Sequence, residues 1–213
     1  MATNWATISA LATAGGTLVL AVATFASVRS ANRTARIAEQ SLLLGVRPLL
    51  MPSRLEDPTQ KINWVDQHWT ALKGARASVE LEDGRVYLAG SLRNAGAGVA
   101  IIQGWHAYVT ERLENRDLPA VEEFRPQTRD LYVPSNDVGF WQAAVRDRDD
   151  PQYREFAEGF ERKRFFVLSL LYSDQEGGQR TVSRFLLSPT QDPSEWLFSV
   201  NRHHNVDRPN PRE

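Results

Sequence analysis

Hydrophobic and polar positions divide the chain at residue 28. From Trp5 to Val28 the run WATISALATAGGTLVLAVATFASV holds no charged side chain, and the first charge is Arg29. As a helix rising ~1.5 Å per residue, this run extends ~36 Å, enough to cross a ~30 Å hydrocarbon layer with some tilt. The pattern therefore predicts a transmembrane anchor over 1–28, with Leu18, Leu20 and Phe25 facing lipid and Trp5 in the interfacial belt. A buried helix of a soluble domain needs polar positions on one face, and this run offers only hydroxyls, glycine and alanine. A cleaved signal needs a basic leading region and a short apolar core, and the sequence has neither.

Beyond the span the period changes twice. Ala31, Ala35, Ala38 and Leu42 recur at helical spacing, which predicts a juxtamembrane helix over 29–46 closed by Gly45 and Arg47-Pro48. A strand follows at Val46–Met51, an edge strand because of Pro48 and Pro52. Residues 53–74 show no clean period and are expected to form a long loop, the kind of segment that often carries function. Alternation then sets in on both sides of Asp83-Gly84, a strong hairpin signal. Further strands are expected over 99–113, around 131–133, over 138–145, 164–173 and 180–188. Asp150 and Pro151 open one clear helix, with Tyr153, Phe156, Ala157 and Phe160 on its apolar face. The signature Asp192-Pro193-Ser194-Glu195 predicts a second short helix burying Trp196, Leu197 and Val200. The fold class is mainly β: an antiparallel β-sandwich with one inserted helix over 47–201, and a flexible tail over 202–213.

Charge predicts an orientation and argues against one class of partner. Arg29, Arg33 and Arg36 cluster directly after the span, so the C-terminal domain is expected on the cytoplasmic side of the plasma (inner) membrane. Asn32-Arg33-Thr34 matches a glycosylation sequon but abuts the membrane on that side. With 25 basic and 26 acidic side chains, there is no basic excess of the kind nucleic-acid binding requires. The absence of cysteine does not contradict the cytoplasmic placement, since a cytoplasmic domain needs no disulfides, although many exported domains lack them too. Within the span, Ala12 and Gly16 lie four apart, a spacing that permits close helix packing against a partner or a second copy.

Three stretches resemble a loose group of uncharacterised bacterial single-pass membrane-anchored proteins. They are Arg47-Pro48-Leu49-Leu50, Leu92-Arg93-Asn94-Ala95-Gly96-Ala97-Gly98-Val99-Ala100, and Tyr172-Ser173-Asp174 leading to Gly178-Gln179-Arg180-Thr181. The resemblance implies one span, a short helix and an immunoglobulin-like sandwich. It brings no activity and no functional residue.

Candidate chemistry is sparse. His203-His204 with Asp207 sits on the expected tail without a cysteine to complete a zinc site. Asp147, Asp149 and Asp150 lack the glycine and closing glutamate of a calcium loop and suit a helix N-terminus instead. No nucleophile elbow or phosphate loop occurs, so no catalytic residue, metal or cofactor is assigned. His106 is expected to pack on a strand. His68, with Asp66 nearby in the 53–74 loop, is the one candidate base, and it sustains an alternative reading as a ligand-binding or hydrolytic domain. Trp64 and Trp69, in the same loop, are candidates for a partner-facing patch. The expectation is a non-enzymatic membrane-anchored interaction module whose partners are the bilayer and either another protein or a second copy. An accessory subunit of a membrane complex is the further alternative.

Overall fold

A computed structural model describes residues 4–112, 116–192 and 195–207. The chain divides into two compact units, 1–45 and 46–213.

The first unit is a single helix, α1 (Trp5–Gly45), which joins the expected span and juxtamembrane helix without a break. It contains no proline. Four of its hydroxyls are spent internally: Thr13, Thr17, Thr24 and Thr34 donate to the carbonyls of Ser9, Thr13, Leu20 and Ser30, four residues back, at 2.8–3.1 Å. A threonine satisfied this way costs little in an apolar medium, where an unpaired hydroxyl would be expensive. Ile8–Glu39 is long and apolar enough to cross a membrane. Its large side chains are exposed, including Leu18, Leu20 and Phe25 at 68% each.

The second unit carries, in order, β1 (Leu50–Pro52), β2 (Gln60–Asn63), β3 (Trp69–Leu72), β4 (Arg76–Glu82), β5 (Arg85–Asn94), β6 (Ala100–Thr110), β7 (Arg125–Val133), β8 (Val138–Val145), α2 (Pro151–Glu161), β9 (Phe165–Ser173), β10 (Thr181–Pro189) and β11 (Trp196–Asn205). Among the described residues nine strands form one antiparallel sheet in the order β1-β5-β4-β11-β10-β9-β6-β7, with β8 along the other edge of β5. The mainly β class with an N-terminal helix stands, and the strands form one curled sheet. The curl is visible in the core, where Trp105 of β6 meets Trp141 of β8 edge to face at 5.7 Å although the two strands are not neighbours. Helix α2, capped by Asp150 as its sequence predicts, places Phe156 against Phe166 at 5.6 Å. Asp83-Gly84 turns with φ of +49° and +70°, the positive values a type I′ hairpin requires.

Three expectations are corrected. Residues 53–74 hold the β2–β3 hairpin; each strand buries only one side chain, Ile62 or Leu72, too little for a legible period. The short helix after Asp192 is strand β11, in which Trp196 and Phe198 are buried and alternate with exposed Leu197 and Ser199. Pro193 and Ser194 of its capping signature lie outside the described residues. The expected flexible tail starts too early, because Arg202–Asn205 pair with β10.

The outer surface of the sheet is covered locally, over β5 and over β9 and β10, which is why these strands are buried along most of their length. The β2–β3 hairpin packs Ile62, Trp64 and Leu72 onto Tyr87 and Ala89. On the other side Phe124 covers Leu171 and Val182. There the buried Arg184 donates to the carbonyls of Arg116 and Asp117 at 2.6 and 2.8 Å, pinning the connecting segment.

The Asn94–Gly98 bend is a staple. Asn94 is fully buried. Its Oδ1 accepts from Leu49 N and Gly96 N, both at 3.0 Å, and its Nδ2 donates to Gly98 O at 2.6 Å and Val133 O at 3.0 Å. Gly96 and Gly98 lie so close to residues 46–49 that a Cβ would fall 2.2 Å from Arg47 O and 1.8 Å from Val46 O. The motif thus holds the start of the domain to the sheet.

Candidate functional site

The hairpin brings the singled-out polar and aromatic residues together. Its turn is closed by Gln67 N donating to Trp64 O at 3.0 Å, with Gln67 at φ +66°. This presents Asp66 and His68 to the outer face of β4 and β5. His68 stacks on Tyr87 with ring centres 3.9 Å apart. Its Nε2 lies 2.8 Å from Glu80 Oε2 and its Nδ1 2.7 Å from Glu82 Oε2. The ring thus has a carboxylate neighbour at each of its two nitrogens. It does not face open water.

Asp66 serves as an anchor. Its Oδ2 accepts from Tyr87 Oη at 2.8 Å and Arg146 Nε at 2.9 Å, with Arg85 3.7 Å away. The Arg146 hydrogen bond, aided by that from Tyr87, outweighs partial burial and holds the carboxyl at about 2. Burial pushes the Tyr87 phenol up. Between these groups lies an open cleft of about 530 Å³, lined by Asp66, His68, Trp69, Glu80, Glu82 and Arg85 among others. A groove of about 310 Å³ adjoins it beside Lys73, Arg76 and Glu195. Trp69 borders both.

The two tryptophans separate. Trp69 is 63% exposed, whereas Trp64 is 4% exposed and its Nε1 donates to Ala143 O at 3.2 Å. Trp64 is therefore a core residue of the hairpin and not part of a partner patch. Trp105, Trp141 and Trp196 are buried, and Trp5 is exposed on α1. Ala12 and Gly16 are exposed, with open space around Gly16.

The remaining candidates have structural partners. Asp150 caps α2 and receives both carboxylate contacts from Arg125 at 2.7 Å. Burial alone would raise the Asp150 carboxyl, but Arg125 and Gln152 N hold it low. Asp147 Oδ1 accepts from Asp149 N. His106 lies on β6 between Tyr108 and Phe124, and burial pushes its imidazole down. His203 and His204 are strand residues. His203 Nδ1 lies 2.7 Å from Ser183 Oγ, which meets Tyr172 Oη at 2.8 Å, and Leu50 N donates to that hydroxyl at 3.2 Å. These contacts form one chain of hydrogen bonds from Leu50 N through Tyr172 and Ser183 to His203, whose imidazole is held low by burial and the Arg47 charge. Ser183 is fully buried, so this serine–histidine pair links β1, β9, β10 and β11 and offers no access to a substrate. No group of three or more His, Asp or Glu able to hold a metal ion occurs among the described residues.

A pairing that sequence reasoning missed is that of His68 with Glu80 and Glu82. Glu80 and Glu82 alternate with Val79 and Leu81 on β4, so their shared outer face was legible, but their histidine partner was not.

Comparison with protein-family models, curated proteins and solved structures yields no match to this chain. What the fold itself defines is a mainly β domain preceded by one apolar helix of membrane-crossing length.

Proposed function

We propose that this protein is a non-enzymatic, single-pass protein of the plasma membrane that presents its β domain on the cytoplasmic side and binds another protein through the surface around Trp69. The observation that carries the reading is α1: an exposed apolar helix of membrane-crossing length continuous with the chain of a folded domain. Arg29, Arg33 and Arg36 at its C-terminal side support the cytoplasmic orientation. Trp69 supports the docking surface, because an exposed tryptophan between two clefts suits the centre of a protein interface. Tethering would raise the local concentration of a weakly held partner. An apolar helix ahead of a mainly β domain is compatible with the bacterial membrane-anchored proteins that three stretches of the sequence resemble. A helix of 41 residues is ~60 Å long, about twice the thickness of the hydrocarbon layer.

The test combines fractionation with crosslinking in intact cells. The full-length chain should resist alkaline extraction from membranes, and protease added outside intact cells should leave the β domain whole. A photo-crosslinker at position 69 should trap a discrete adduct that the same group at Glu161, on α2, does not. Release into the soluble fraction, digestion from outside, or identical adducts from both positions would each overturn the corresponding part of the reading.

A further inference from the structure

We propose that the turns of α1 around Arg29–Arg36 form a binding site for the headgroup of an anionic phospholipid. The proposal rests on the membrane reading and goes beyond it, since an anchor alone has no headgroup preference.

Arg29, Arg33 and Arg36 follow an i, i+4, i+7 spacing, which stacks three guanidinium groups on one side of a helix. All three are exposed. The same side carries Phe25, Val28 and Asn32, and together these six residues line one shallow concavity on the helix. Its composition is graded along the axis: apolar at Phe25 and Val28, cationic from Arg29 onward. An acyl chain laid against Phe25 and Val28 would bring a phosphate to the level of Arg29, Asn32 and Arg33. Guanidinium groups bind phosphate oxygens in pairs, and Asn32 adds a neutral donor. The one carboxylate of the helix, Glu39, comes three residues after Arg36. Basic side chains next to an anionic leaflet each add attraction that salt weakens.

The experiment is electron paramagnetic resonance of spin-labelled lipids in vesicles holding the full-length protein. Phosphatidylglycerol and phosphatidylcholine probes are compared for the wild type and for the triple variant Arg29→Gln, Arg33→Gln, Arg36→Gln. The expected result is a motionally restricted component for both probes, with a preference of about threefold or more for phosphatidylglycerol in the wild type. That preference should fall to about one in the variant and decline in concentrated salt. A restricted component with equal selectivity in both proteins overturns the lipid site and leaves the anchor standing. No restricted component with either probe overturns the anchor, and the site with it.

Discussion

Replacing Asn94 by Asp tests the staple at the start of the domain. The orientation of the Asn94 amide is fixed by its surroundings, with two N–H donors on its oxygen side and two carbonyls on its nitrogen side. Aspartate keeps the acceptor and the shape but turns an oxygen toward Gly98 O and Val133 O. Two hydrogen bonds worth ~1 kcal/mol each are lost, and at least one buried carbonyl is left unpaired at a further ~1–3 kcal/mol. The expected loss at pH 7.5 is therefore ~3–5 kcal/mol. For a unit of this size ~1 kcal/mol moves Tm by ~2–4 °C, so a drop of roughly 6–20 °C is expected by near-ultraviolet circular dichroism in mild detergent. The pH signature is more diagnostic. Carbonyl neighbours and burial raise the folded-state pKa of the new carboxyl above its unfolded value of ~3.9. Protonation returns one donor, so the deficit relative to wild type at the same pH should shrink on acidification and grow as pH rises through the raised pKa. A deficit under ~1 kcal/mol at pH 7.5, or one equal at pH 5 and pH 7.5, would refute the assignment of the staple.

Other outcomes follow from the same packing. Tyr172→Phe leaves the buried Leu50 N–H unpaired and should cost ~1–3 kcal/mol in urea unfolding; combined with Ser183→Ala the loss should fall short of the sum, because both side chains belong to one chain of hydrogen bonds. Trp64→Ala should cost ~3–5 kcal/mol, whereas Trp69→Ala should change stability by less than ~0.5 kcal/mol, and the two melts check this directly. His106 and His203 both have folded-state values below the ordinary 6.5. Unfolded chains therefore take up protons first on acidification. The stability these residues contribute is complete above that value and declines as pH falls toward the folded values, so His203→Gln should flatten the acid limb of a Tm–pH profile.

How much of this was legible depended on how many side chains each element buries on one face. The long apolar run of α1, the Asp83-Gly84 hairpin and the Asp150-Pro151 helix start all announce themselves through composition or turn chemistry at single positions. Strands β2 and β3 do not, since Ile62 and Leu72 alone face inward. At β11 a capping-like sequence competed with a period of two. Grouping Trp196 with Leu197 and Val200 suggested a helix, while Trp196, Phe198 and Val200 are the set that a strand turns to one side. The cleft was partly legible. Asp66, His68 and Trp69 drew notice as local sequence, but Glu80 and Glu82 reach His68 only once the hairpin is laid over β4, a juxtaposition no spacing encodes.

The seam between β4 and β11 has a consequence for biogenesis. Among the described residues two residue pairs form it, Ala77 with Trp196 and Arg76 with Leu197, and those partners are separated by roughly 120 residues of chain. At a translation rate of ~5–20 residues per second, the ribosome delivers the second partner on the order of 10 s after the first. During that interval the early half of the sheet waits with the edge of β4 bare. Nascent chains of this protein should thus depend on chaperone cover until β11 emerges, and synonymous changes that slow synthesis between residues 95 and 195 should lower its yield while leaving the finished protein unaltered.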